Sequence, residues 1–243
     1  VVNGSKIWTS LGSYAKYMIL LARTSTGGAN KYAGLSFFLA PMQSEGIEPR
    51  PIKKLTGEYG FCQTFFNDAR IPASCMIGGE GEGWKVAMAT LTFERGAAGG
   101  QAGGLSMMDL SIDDIVELAR RTKRNGRPAI EDVHVREELV KLITEARNNG
   151  LMAARSKVPA LAGDWPSAVS MSGKLRGTEL KRRMCQFAIS LQGANGARYV
   201  SKEAVDGGLW QRSYLNAFSG TIGGGTSQIQ HNIIGERVLG LPK

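Results

Sequence analysis

The stretch Gly78-Gly-Glu-Gly-Glu-Gly-Trp84-Lys-Val-Ala-Met-Ala-Thr-Leu-Thr-Phe-Glu94-Arg95 divides the chain into two regimes. Before it, short apolar runs alternate with turn residues. After it, apolar residues recur at helical spacing. The first regime predicts strands over residues 5–9, 17–23, 35–40, 47–55 and 63–67, rich in Ile, Phe, Tyr and Leu and bounded by Gly, Asn, Ser and Pro. Their regular spacing predicts a small antiparallel barrel or sandwich. Asn3-Gly4 is a strong two-residue hairpin signal, yet only Val1 and Val2 precede it, which predicts that the chain is internal to a longer polypeptide.

The second regime predicts a helix over 84–93 behind the glycine turn, and a second helical run ending near Arg124, broken by Asn125-Gly-Arg-Pro128. A long amphipathic helix follows over 130–157, with Val133, Leu139, Leu142, Ile143 and Ala146 near one face. Residues 159–166 break the pattern between two prolines. Further helices are expected over 167–191, 209–218 and, after the Gly223–Gly225 turn, to about Val238. The fold class is therefore α+β: an antiparallel β-domain over 1–77, then an antiparallel helical bundle over 78–243. The glycines 79, 81 and 83 imitate part of a dinucleotide fingerprint, but no second strand with an acidic residue follows, so that reading fails.

Composition excludes several classes. The 243 residues are 42% hydrophobic and 21% charged, ordinary for a globular chain. No apolar run reaches the roughly 18 residues that a membrane span needs. The cysteines, Cys62, Cys75 and Cys185, are few and widely spaced, which argues against a disulfide framework. The histidines, His134 and His231, lack metal-ligand spacing, so no metal site is expected. Net charge +9 raises a nucleic-acid reading, but the basic runs Arg120–Arg124 and Lys181–Arg183 are not interleaved with aromatics. A phosphate-bearing small molecule suits the same positive field.

Two other stretches carry chemistry-bearing residues. One is Val2-Asn-Gly-Ser-Lys-Ile-Trp8-Thr-Ser10. The other is the tail, Thr221-Ile-Gly-Gly-Gly-Thr226-Ser-Gln228-Ile-Gln, a glycine turn running straight into an amphipathic helix. Three glycines let the backbone approach a ligand closely, and the helix start leaves free N–H groups. Taken alone, this is equally a helix-entry turn with Thr226 as its cap.

With the Glu80–Arg95 segment, these stretches resemble the acyl-CoA dehydrogenase family, in the same order and at similar distances, over nearly the whole chain. The resemblance implies an FAD-dependent oxidation of an acyl-CoA thioester to its trans-2-enoyl form, with electrons passed to an electron-transfer flavoprotein. It implies a homotetramer or hetero-oligomer, located in the bacterial cytoplasm or the mitochondrial matrix. It further implies that this chain, matching the C-terminal two-thirds of a typical member, is inactive alone.

Residue by residue, many members place a glutamate base directly before the tail Gly-Thr pair. Gly224 stands there in this chain. A subset takes the base from a bundle helix, directly before an arginine, which matches Glu94-Arg95. Glu94 is then the proton-abstracting base, and Arg95 holds it; a surface ion pair and an interhelical bridge are the plainer alternatives. Small residues 96–104 beyond it leave room for an acyl chain. The Gly224 N–H is implied as a donor to the thioester carbonyl. Trp8, Ser10, Thr226 and Gln228 match flavin-contacting positions; a core aromatic and helix capping are the alternatives. The family's Arg-x-x-Phe-Gly stretch is altered: Thr122 and Asn125 replace the arginine and phenylalanine, and Arg121 or Lys123 would have to compensate. Gln192-Gly-Ala-Asn-Gly196 resembles a second flavin-facing loop. A chain with these departures also fits a non-catalytic partner subunit.

Overall fold

The structure is a computed structural model describing residues 1–26, 28–96, 110–162 and 166–242; of residues 92–96, 162 and 166–171 the backbone alone is described. The chain forms two compact units, Val1–Phe93 and Glu94–Lys243.

The first unit contains β1 (Val2–Ser10), β2 (Tyr17–Arg23), β3 (Leu35–Pro41), β4 (Ile47–Lys53), β5 (Tyr59–Ala69), β6 (Met76–Ile77) and most of α1 (Gly83–Gly96). These strands make two antiparallel sheets of order β1-β5-β4 and β2-β3-β6, with no closed barrel among the described residues. In β2, Met18 and Leu20 are buried while Tyr17 and Ile19 are exposed, the period-two alternation of a strand. They join Phe38, Ala40, Met42, Phe66 and Ala69 in one core.

Asn3-Gly4 is not a hairpin turn. It lies within β1, where the pairing with β5 shifts between Val2 and Gly4. The Asn3 amide donates to Asp68 Oδ1 (2.9 Å) and accepts from the Asp68 N–H (2.8 Å), so it holds an irregular strand crossing together. The turn into α1 is anchored on β3. The Gly81 N–H donates to Ser36 Oγ at 2.9 Å. A Cβ on Gly83 would lie 2.5 Å from the Ser36 carbonyl carbon, so only glycine allows this approach. Trp84 stacks on Tyr32 with centroids 4.1 Å apart, placing it within this unit.

The second unit contains α2 (Ile112–Arg121), β7 (Lys123–Arg124), β8 (Arg127–Pro128), α3 (Val133–Arg155), α4 (Pro159–Ala162), α5 (Pro166–Leu191), α6 (Leu209–Ile222) and α7 (Ser227–Arg237). Ser111 and Asp114 form a reciprocal capping box at the start of α2. Asp132 caps α3 by accepting from the His134 and Val135 N–H groups. The core joins Ile115 and Leu118 of α2, Val135, Leu139 and Leu142 of α3, Leu180, Met184 and Ala188 of α5, and Trp210 of α6. Val133, expected on the apolar face, is 63% exposed; Val135 is the buried residue of that turn.

The second helical run ends at Arg121, earlier than expected. Asn125 (φ 50°) and Gly126 (φ 79°) are both left-handed and close a two-residue hairpin pairing Lys123 with Pro128 and Arg124 with Arg127. No helix among the described residues is long and apolar enough to cross a membrane, and none of their side chains cluster as a metal site.

Candidate functional site

In the first unit, β1 carries one residue more than β5 between the pairs Lys6↔Thr64 and Thr9↔Cys62. This is a β-bulge, which bends a strand and re-aims a side chain. Trp8 sits in it with φ 65°. A bulky aromatic in the left-handed region is a genuine outlier, because Cβ crowds the following carbonyl. Its indole is 61% exposed and touches Phe61 edge-on, with centroids 6.1 Å apart. Trp8 is therefore displayed, and the core-aromatic alternative does not hold within its unit. Beneath it, the buried Thr64 hydroxyl donates to Thr9 Oγ1 at 2.9 Å and fixes the far side of the bulge. Ser10 ends the strand, exposed and paired with Phe61.

In the second unit, the tail glycines link α6 to α7. The Gly223 N–H closes α6 on Ser219 O at 2.8 Å. Gly224 (φ 66°) and Gly225 (φ 98°) are both left-handed, a pairing that suits glycine. Thr226 then caps α7, its Oγ1 accepting from the Ile229 N–H at 3.2 Å, so the capping alternative is realised. Both glycine carbonyls are tied. Gln230 Nε2 donates to Gly224 O at 2.8 Å, and Lys174 Nζ donates to Gly225 O at 2.5 Å. The C=O and N–H of a trans peptide point in opposite directions. The ties therefore aim the Gly225 and Thr226 N–H groups away from Gln230 and Lys174. Among the described residues, no backbone acceptor meets the Gly224 or Gly225 N–H.

Helix α5 grips the same turn once more. Ser227 Oγ donates to Glu179 Oε1 at 2.6 Å. That bond, with Arg182 beside it, lowers the Glu179 carboxyl below its ordinary value. Burial pushes the Lys174 ammonium down. Gln228 is exposed on the outer side of α7. Beside Gly224 the space is open: an added Cβ would meet nothing nearer than Lys174 Cε at 3.9 Å.

Arg121 is engaged elsewhere. Its guanidinium binds Asp206 through both nitrogens, Nη1 to Oδ1 at 2.9 Å and Nη2 to Oδ2. The Trp210 indole N–H also donates to Asp206 at 2.6 Å. Arg121 and Trp210 together hold the Asp206 carboxyl below its ordinary value. Two of the five guanidinium N–H donors of Arg121 are thereby engaged with Asp206. Lys123 and Arg124 are exposed on the hairpin. In the Gln192–Gly196 loop, the buried Gln211 amide donates to Gln192 Oε1 at 3.0 Å and to Gly196 O at 3.2 Å, binding the loop to α6.

Glu94 and Arg95 lie in the last turn of α1, where the backbone alone is described. The small-residue stretch beyond Gly96 falls outside the described residues. Sequence reasoning missed Lys174, Glu179, Gln211 and Gln230. Their sequence signal is weak: two polar residues five apart on α5, and glutamines on otherwise mixed helices.

Residues 1–69 match the middle domain of acyl-CoA dehydrogenases, and residues 81–239 match their C-terminal domain. The chain belongs to the acyl-CoA dehydrogenase family. It is 40% identical over 243 residues to acyl-CoA dehydrogenase IpdE1 of Mycolicibacterium smegmatis, covering all of this chain and 58% of that protein. Among solved structures, it resembles the ChsE4-ChsE5 complex of Mycobacterium tuberculosis (TM-score 0.79, 27% identity, all of this chain and 62% of the other). It also resembles the Tcur3481-Tcur3483 steroid acyl-CoA dehydrogenase (TM-score 0.81, 27% identity, all of this chain and 61% of the other). The chain thus spans about three-fifths of the length of these relatives.

Proposed function

We infer that this chain is part of an FAD-dependent acyl-CoA dehydrogenase that desaturates an acyl-CoA thioester to its trans-2-enoyl form and passes the electrons to an electron-transfer flavoprotein. The observation that carries the reading is the Gly224–Gly225 turn, whose carbonyls are tied by Gln230 and Lys174 and whose Gly224 and Gly225 N–H groups meet no backbone acceptor among the described residues. Such fixed donors act most strongly where charge grows in the transition state.

The Gly224 N–H donates to the thioester carbonyl oxygen and polarises it. The α-proton becomes more acidic, and Glu94 removes it. Arg95 orients that carboxylate. The tail position used for the base by many members is left-handed in this chain and holds Gly224, which is consistent with a base supplied from α1.

The residues present fit FAD in part. Trp8 offers an exposed flat indole on a strained bulge, suited to stacking against an isoalloxazine edge. Ser10, Thr226 and Gln228 add polar contacts. FAD, when bound, supplies the acceptor for the β-hydride. Thr122 supplies no guanidinium for the pyrophosphate, and Arg121 is held by Asp206. This favours assembly with a different chain that provides that charge, in line with the ChsE4-ChsE5 and Tcur3481-Tcur3483 pairs. The steroid substrate class named for the latter supports a bulky, ring-bearing acyl group as the substrate here.

The test uses the complete protein, expressed alone and then with its partner. Acyl-CoAs of linear, branched and ring-bearing type are added without oxygen, and the flavin absorbance is followed. Ring-bearing thioesters should bleach it fastest. Glu94→Gln should keep the flavin and slow bleaching by about 10²–10⁴-fold. Bleaching at the wild-type rate in Glu94→Gln would remove Glu94 as the base and favour a non-catalytic role for this chain.

A further inference from the structure

A run of three glycines has no rigidity of its own; each can sample conformations closed to other residues. Donors that stabilise developing charge are useful only if they are held before the charge appears. The rigidity of the Gly223–Gly225 turn must therefore come from outside it. Two side chains provide it. Gln230 Nε2 reaches back from α7 to Gly224 O at 2.8 Å, and Lys174 Nζ reaches across from α5 to Gly225 O at 2.5 Å.

These two bonds fix consecutive peptide planes immediately after the Gly224 Cα. The Lys174 bond is the stronger in kind. It is charge-assisted and joins residues 51 apart in sequence, so it ties the turn to a different helix. Burial disfavours the charge on Lys174 and pushes the ammonium down, and the nearby Glu179 carboxylate offsets this only in part. Gln230 is buried, so its amide has no solvent alternative to the Gly224 carbonyl.

We propose that Lys174 is a positioning residue for the reaction: through Gly225 O, and together with Gln230, it holds the glycine turn in the conformation that presents its N–H groups to the thioester carbonyl. The role rests on the dehydrogenase reading above. In this role Lys174 acts through the backbone, on Gly225 O.

The probe is a dimethylaminocinnamoyl-CoA, whose visible band moves to longer wavelength when its thioester carbonyl is polarised. It is added to the complete, flavin-loaded protein, with Lys174→Met, Lys174→Arg and Gln230→Met as variants. The wild type should shift the band. Lys174→Met should lose most of the shift and lower kcat on the order of tenfold with KM nearly unchanged; Lys174→Arg should restore much of both. If Lys174→Met fails to fold, Gln230→Met should lose the shift in its place. A full shift in a folded Lys174→Met or Gln230→Met overturns the role of Lys174 and leaves the dehydrogenase reading standing. No shift in the wild type overturns both.

Discussion

Trp8 and Gly224 have almost the same backbone φ, 65° and 66°. One is the largest side chain there is, the other has none. In the left-handed region an L side chain is disfavoured by roughly 1–2 kcal/mol, and glycine escapes that penalty. The tail turn uses glycine where the backbone itself is the functional group. The bulge in β1 accepts strain because an indole must be shown at the surface. Strain of that kind persists only where the surroundings fix it; the ladder pairs on either side and the Thr64–Thr9 bond do so here. The tail turn solves the opposite problem, an excess of freedom, with Lys174 and Gln230.

The largest structural effect expected from this contrast lies at Gly225. A Cβ there would stand 2.7 Å from Gln230 Nε2 at φ 98°. Gly225→Ala should combine backbone strain with a displaced buried amide, about 2–3 kcal/mol in all. Gly224→Ala meets only open space at 3.9 Å and should lose about 1–2 kcal/mol from strain alone. Urea midpoints of both variants measure the difference, which is the share carried by the clamp. Equal losses would mean that Gln230 yields freely and the turn is not held.

A smaller effect is expected at Trp8. Asparagine tolerates the left-handed region best among non-glycine residues, so Trp8→Asn relieves strain while removing only an edge contact with Phe61. Stability should change by less than about 1 kcal/mol, whereas flavin retention through gel filtration should fall. A large loss of stability with flavin kept would make Trp8 a packing residue and break the comparison.

The sequence made the strands legible because their apolar runs carry a period that burial then enforces. It made the tail turn legible because three glycines before a cap have few other uses. It did not reveal which Asn-Gly pair turns the chain. Asn3-Gly4 and Asn125-Gly126 are the same dipeptide, yet the first lies in a strand bound to Asp68 and the second closes a hairpin. Neighbouring strand partners decided that, and they are not local. The same holds for Arg121, which lies within a basic run in sequence but meets Asp206, 85 residues away, in space. Lys174 escaped notice because its partner is a backbone carbonyl, which leaves no mark in sequence.

Asp206 offers the smallest and cleanest refinement. It too is left-handed, at φ 50°, followed by Gly207 and Gly208, also left-handed. Unlike Trp8, it is held by charge, through Arg121 and the Trp210 indole. Asp206→Asn keeps a residue that tolerates this conformation and removes the charge. The folded carboxyl is lowered relative to the unfolded chain, where it titrates near about 3.9. Its stabilisation is therefore fully present above that value and is lost as pH falls through the lower, folded value. The Arg121 side chain is 45% exposed, so solvent screens the pair and less than about 1 kcal/mol is expected at neutral pH. Wild type should exceed Asp206→Asn by that margin at pH 7, and the two unfolding curves should converge as pH drops below about 4. A constant gap down to pH 2 would mean that asparagine distorts the turn itself, and that Asp206, like Trp8, is held by backbone geometry and not by charge.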